Sequence, residues 1–218
     1  ALPLLHRLLK QPRRVSYKHC RVLVLSPTRE LASQIMTTFR NLAQGSALKI
    51  ACVFGGVPMG AQRQTLAAGV DVLVATPGRL IDHMAQGTAS LGEVEAVVLD
   101  EADRMLDMGF IQPLKKIVAA LPKQRQTLFF SATMPPAIRA LAETLLTDPV
   151  EVAVTPVAKT ADKVEQRVIH VAQPHKRLLL VETLRDAENM DRALVFARTK
   201  HGADKLVTIL TRAGLHAA

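Results

Sequence analysis

Residues 94–103 read VEAVVLDEAD. Val94 to Leu99 is a short, nearly unbroken apolar run that ends at two adjacent acids, Asp100 and Glu101, with Asp103 just beyond. An apolar run of this length, interrupted only by Glu95 and polar at its end, predicts a strand buried on both faces, as in a parallel sheet covered by helices.

The same pattern recurs on either side. Arg21 to Ser26 predicts a strand and Arg29 to Leu42 a helix. Lys49 to Phe54 predicts the next strand, followed by Gly55-Gly56 and a helix through Gln62 and Leu66. Asp71 to Ala75 precedes a helix over Gly78 to Met84, and Gln126 to Phe130 precedes one over Pro135 to Leu146. Val150 to Val154 adds a possible sixth strand. Strands alternating with helices of this length imply βαβ units and a parallel α/β sheet. Leu2, Leu5 and Leu9, with Leu4 and Leu8 beside them, already repeat at helical spacing at the start of the chain.

Residues 1–154 are expected to form one domain. Residues 155–165, with Pro156 and two lysines among few large apolar side chains, read as a linker, and 166–218 read as the start of a second domain. In that second part Gln166 to Val171 and Ala193 to Ala197 predict strands, and His175 to Arg185 and Thr199 to Arg212 predict helices.

Composition narrows the function. Lys plus Arg number 28 against 19 Asp plus Glu, a net charge of +9, which favours a polyanionic partner; a solvated basic surface is the plainer alternative. Aromatics are only 3% and Trp is absent, which argues against a binder built on base-stacking platforms and leaves contacts to backbone phosphate. Cys20 and Cys52 lie in or beside apolar runs without CxxC spacing or a His cluster, so neither a disulfide framework nor a metal site is implied. No apolar run approaches the roughly 20 residues of a membrane span. No membrane partner is expected, and a reducing cytoplasm fits.

The chemistry-bearing residues follow the strands, where open parallel sheets bind their ligands. Of the two acids after Leu99, one suits Mg²⁺ held through water and the next suits orienting the water that attacks a nucleotide phosphate. Acids that favour a helix N-terminus are the structural alternative. Pro27-Thr28-Arg29-Glu30-Leu31-Ala32 follows the first strand and Thr76-Pro77-Gly78-Arg79 the third. Each offers a hydroxyl, a helix start and an arginine, which suit a nucleic-acid backbone or, more plainly, cap a helix. Gly55-Gly56 permits close backbone approach or a tight turn. Ser131-Ala132-Thr133 puts two hydroxyls after the fifth strand, where they can bond to Asp103 or cap a helix.

In order, the chain holds PTRELA, GG, TPGR, DEAD and SAT, then LVFARTK over Leu194 to Lys200. This series, with RMLDMGF over Arg104 to Phe110, resembles the ordered motifs of DEAD-box ATP-dependent RNA helicases along essentially the whole chain. The segment from Met134 to Ile169 is most similar to the bacterial RhlE-like branch. The resemblance implies a RecA-like ATP-binding domain followed by the start of a second RecA-like domain, with ATP and Mg²⁺ as cofactors and RNA sugar-phosphate as partner. It implies that Asp100 binds Mg²⁺ through water and that Glu101 positions the hydrolytic water. Asp103, Ser131 and Thr133 would couple nucleotide state to domain closure. Pro27, Thr28, Arg29, Gly55, Gly56, Thr76, Gly78 and Arg79 would hold RNA, with Arg198 and Thr199 adding contacts from the second domain.

The sequence contains no G-x-x-x-x-G-K-[ST] phosphate loop, and Ala1 is not an initiator Met. The chain therefore reads as an internal piece of a longer helicase, also lacking the C-terminal arginine fingers, and by itself is expected to show no RNA-stimulated ATPase activity. A non-catalytic RNA-binding module, a regulatory protein using the fold for partner contacts, and a DNA helicase of related architecture are the competing readings.

Overall fold

The computed structural model describes residues 1–153, 167–187 and 191–218. By contact density the chain divides into two compact units, Ala1–Val152 and Ala153–Ala218.

The first unit is built on a five-stranded sheet in the order β2-β3-β1-β4-β5, with every neighbouring pair parallel. Its strands are β1 (Cys20–Leu25), β2 (Ile50–Val53), β3 (Val70–Ala75), β4 (Ala96–Leu99) and β5 (Gln126–Phe129). Side chains alternate across the pleat. Leu23, Leu25, Leu73, Ala75, Val97 and Leu99 enter one core; Val22, Val24, Val72, Val74, Ala96 and Val98 enter the other. Both cores are closed by helices, which is why the central strands read as near-continuous apolar runs, interrupted only by Arg21 in β1 and Asp71 in β3.

The second of those cores is covered by α1 (Leu2–Lys10), through Leu4, Leu5 and Leu8, and by α2 (Arg29–Leu42), through Ala32 and Phe39. The buried stripe of α1 is Leu4, Leu5 and Leu8, whereas Leu2 and Leu9 face solvent. The opposite core receives Leu66 of α3 (Met59–Ala67) and Leu80 of α4 (Pro77–Ala85). It also receives Met105 of α5 (Ala102–Asp107), Leu114 and Ile117 of α6 (Ile111–Ala119), and Leu141 and Leu145 of α7 (Pro136–Leu145). Helices α5 and α6 were not expected from the sequence, although Leu114, Ile117 and Leu121 carry a helical period.

Among the described residues, three expected strands do not form. Residues 150–153 have no regular structure, and Val150 and Val152 are 91% and 86% exposed; position 154 lies outside the described residues. Residues 167–171 and 193–197 are likewise irregular, with position 166 and the expected linker 155–165 also outside the described residues. Apolar alternation proposes a strand, but only a hydrogen-bonded neighbour and a covered face make one, and two short strands alone supply neither. The second unit's described elements are a 3₁₀ turn at Gln173–His175, α8 (Lys176–Asp186) and α9 (Lys200–Arg212), with Val181 and Leu210 buried.

Among the described residues no helix is long and apolar enough to cross a membrane.

Candidate functional site

The chain lays down β1, β2 and β3 to one side and then crosses past β1 to place β4 and β5 on the other. Such a crossover opens a crevice at the carboxyl ends of the strands, where loops diverge. The segments after all five strands of the first unit, which carry the signature residues, therefore share one edge of the sheet.

After β4, Asp100 donates its amide to the Leu25 carbonyl of β1 at 3.0 Å. Its carboxylate is half-buried and has no hydrogen bond or ion pair among the described residues. It borders a cleft of about 630 Å³ between α1, α2 and the sheet, lined chiefly by apolar side chains, with Arg7 and Gln126 among the polar ones. At Glu101 the backbone turns left-handed, φ 52° and ψ 54°, before α5 begins. A non-glycine residue pays about 1–2 kcal/mol for that conformation, a strain that surrounding contacts must hold. Ala102 N–H donates to the Phe130 carbonyl at 3.0 Å, and Phe130 N–H to the Leu99 carbonyl at 2.8 Å, tying the turn to the end of β5. The Glu101 side chain is exposed, makes no cap bond to α5, and lies 3.9 Å from Arg104 Nε. Helix capping by that carboxylate is therefore not why it is there.

Asp103 is joined to the segment after β5. Its Oδ2 accepts from the Thr133 hydroxyl at 2.8 Å and the Thr133 amide at 2.9 Å, and its Oδ1 from the Arg104 amide at 3.0 Å. Ser131 Oγ accepts the Asp103 amide at 3.2 Å and donates to the Thr133 carbonyl at 2.7 Å. Partial burial pushes the Asp103 carboxyl pKa up, but the bonds from Thr133 and Arg104 outweigh it, and the value lies below the ordinary one.

The remaining signatures form a second group. Thr28 caps α2, its Oγ1 accepting from Leu31 N–H at 3.3 Å, and Pro27 is buried behind it. The Arg29 guanidinium is 5.1 Å from the centre of the Phe54 ring. Gly56 has φ +77°, which favours glycine, and a Cβ there would sit 2.7 Å from Arg29 Nη1, so a larger residue would push the exposed guanidinium aside. A Cβ at Gly55 would meet nothing within 4 Å, and one at Gly78 would only touch the Phe110 ring at 3.9 Å. Thr76 is 7% exposed and makes no cap bond to α4. Arg79, only 10% exposed, donates from Nη1 to the Val57 carbonyl at 2.8 Å; its Nε, 3.7 Å from Asp82, is buried without a hydrogen bond. In the second unit Arg198 is exposed and Thr199 caps α9, accepting from Gly202 N–H at 3.0 Å.

Two polar clusters escaped the sequence reading. His83, on α4, is fully buried and bonded to Gln62 and Thr88. Its position one helical turn after Arg79 was the only available signal. At the amino end of the sheet, buried Arg21 donates to Glu95 at 2.9 Å and to the Gln11 carbonyl at 2.9 Å, with Asp71 at 3.9 Å and Arg13 also on Glu95 at 2.9 Å. A charged residue opening an apolar strand was its clue. Among the described residues no group of three His, Cys, Asp or Glu side chains forms a metal cage. A single free carboxylate such as Asp100 suits Mg²⁺, which keeps most of its waters and takes few protein ligands.

Comparison with known proteins agrees with this arrangement. The DEAD/DEAH box helicase family profile matches residues 1–141. The chain is 43% identical over 193 residues to DEAD-box ATP-dependent RNA helicase 40 of Oryza sativa subsp. japonica, covering 88% of the chain and 24% of that protein. It is 39% identical over 203 residues to ATP-dependent RNA helicase RhlB of Haemophilus influenzae (strain PittGG), covering 92% of the chain and 49% of the relative. It thus spans half or less of the length of these curated relatives. A solved DEAD box protein from the hyperthermophile Methanococcus jannaschii superposes with a TM-score of 0.59 at 35% identity, covering 90% of this chain and 52% of that one. With the first unit's signatures gathered on one edge of a RecA-like sheet and a family match over most of its length, the chain belongs to the DEAD-box RNA helicase family.

Proposed function

We propose that the chain is the RNA-gripping and water-activating part of an ATP-dependent RNA helicase, in which hydrolysis of ATP drives local opening of RNA duplexes. The observation that carries this reading is the convergence of the segments after β1 to β5 on one sheet edge, with Asp103 of the acidic turn bonded to Thr133. In this reading Asp100 holds Mg²⁺ through water and Glu101 orients the attacking water. The metal would supply charge neutralisation at the phosphates. Asp103, Ser131 and Thr133 couple the nucleotide site to closure of the domains over RNA. Pro27, Thr28, Arg29, Gly55, Gly56, Thr76, Gly78 and Arg79 form the strand-binding edge, and Arg198 and Thr199 add to it from a second RecA-like domain beginning near residue 166. Arg79 contributes by fixing the Val57 carbonyl as much as by its own charge, since its guanidinium is largely buried. We place the chain in the bacterial RhlE-like branch on the strength of residues 134–169, and the protein in the cytoplasm.

The test is binding of a fluorescent single-stranded RNA, followed by anisotropy across salt. Each phosphate contact contributes about −0.7 to the log–log salt slope for a single strand. Arg29→Ala should flatten the slope by about that amount, and RNA should bind more tightly than DNA of the same sequence, since 2′-hydroxyls are read at such sites. Binding insensitive to salt and to Arg29→Ala plus Arg79→Ala would refute the reading.

A further inference from the structure

The loop from Phe54 to Val57, which joins β2 to α3, is held from behind by a buried polar relay. The Phe54 carbonyl accepts from Gln62 Nε2 at 3.1 Å, Gln62 Oε1 lies 3.1 Å from His83 Nε2, and His83 Nδ1 lies 2.8 Å from Thr88 Oγ1. His83 is 0% and Gln62 9% exposed. Proton bookkeeping fixes the direction. Gln62 spends an amide hydrogen on Phe54, so its oxygen accepts and His83 carries its proton on Nε2. Nδ1 then accepts from the Thr88 hydroxyl. The same hydroxyl also lies 3.0 Å from the His83 carbonyl, but that carbonyl already takes the Thr88 and Ala89 amides at 2.8 and 3.2 Å, whereas Nδ1 has no other donor, so the hydroxyl hydrogen goes to the shorter contact. Donation therefore runs one way, from Thr88 through His83 and Gln62 to Phe54.

The far side of the loop meets both arginines of the candidate RNA edge. Phe54 presents its ring to Arg29, Gly56 lies beneath Arg29 Nη1, and the Val57 carbonyl accepts from Arg79. Arg79 and His83 stand one turn apart on α4, so one helix grips the loop's far end directly and its near end through Gln62. An apolar side chain would fill the His83 site without the cost of burying an imidazole, so space-filling alone does not explain the residue.

We infer that Gln62 and His83 are positioning residues that set the Phe54–Val57 loop, and through it the spacing of Arg29 and Arg79, for an RNA backbone. The inference rests on the RNA-binding reading above.

The experiment uses the full chain and a fluorescein-labelled single-stranded oligouridylate at low salt, with urea unfolding run on every variant. Gln62→Met and His83→Leu should each weaken binding about fivefold, the worth of one lost buried hydrogen bond. His83→Gln, whose amide N–H replaces the Nε2 donor, should restore affinity to within about twofold of wild type. If His83→Leu does not fold, Gln62→Met and His83→Gln decide between them. A folded Gln62→Met variant that binds like wild type overturns the inference, as does His83→Gln binding as weakly as Gln62→Met. Wild-type binding that ignores Arg29→Ala plus Arg79→Ala would instead sink the RNA reading, and this inference with it.

Discussion

Replacing Thr133 by Val isolates the link between the acidic turn and the end of β5. The substitution keeps the side chain's shape and the 2.9 Å amide bond to Asp103, and deletes only the hydroxyl that donates at 2.8 Å. A hydrogen bond to a buried charged acceptor is worth about 1.5–3 kcal/mol. Here the acceptor is half-buried and the donor exposed, so solvent screening reduces that to about 0.5–1 kcal/mol. The loss should depend on pH in a definite sense. The folded Asp103 pKa lies below its unfolded value, so the bond's stabilisation is complete above the unfolded carboxyl pKa and disappears as pH falls through the folded one. Urea unfolding followed by far-ultraviolet circular dichroism, at neutral pH and again at roughly pH 2–3, measures both quantities. A double-mutant cycle with Asp103→Asn should return a coupling of about 0.5–1 kcal/mol at neutral pH. Identical midpoints for wild type and Thr133→Val at neutral pH would refute the reasoning. So would a loss that persists undiminished in acid, since it would then come from packing rather than from the charged bond.

Glu95→Ala should destabilise the first unit by about 3 kcal/mol, the low end for breaking a buried charge pair because Glu95 is 23% exposed and Asp71 stays 3.9 Å from Arg21; thermal unfolding checks this. Gly56→Ala should cost about 1–2 kcal/mol through its positive φ and should also weaken RNA binding by displacing Arg29, so equal RNA affinity would contradict the placement. Burial lowers the His83 pKa below 6.5, with Arg79 adding to the effect. The unfolded chain therefore takes up a proton that the folded chain resists. His83 thus contributes stability that is complete above pH 6.5 and declines as pH falls below it, and His83→Gln should remove that part of the slope in midpoints measured from mildly acid to neutral pH.

The parallel sheet was legible because burial on both faces writes itself as near-continuous apolar runs; β4 is such a run, and β1 and β3 are interrupted only by Arg21 and Asp71 near their starts. The candidate site was legible for a related reason. Asp100, Glu101, Arg29 and Arg79 are polar residues placed directly after those runs, where the chain must leave the core. Contacts made across the fold were less visible. Nothing near Gln62 in sequence announces His83, and nothing near Arg21 announces Glu95, because these pairs meet only when strands and helices pack side by side. The described parts of the expected strands, 150–153, 167–171 and 193–197, show the opposite limit, since alternation can propose a strand but only a paired neighbour makes one. By itself, then, the sequence determined the α/β class, the strands that carry the sheet and the edge where the chemistry gathers, because periodicity and polarity are local properties. Tertiary structure alone decided that the Thr133 hydroxyl, rather than that of Ser131, donates to Asp103, that Arg79 turns inward to Val57, and that a histidine relay stands behind the glycine loop. Those outcomes depend on which surfaces are pressed together and which buried donors must find acceptors there.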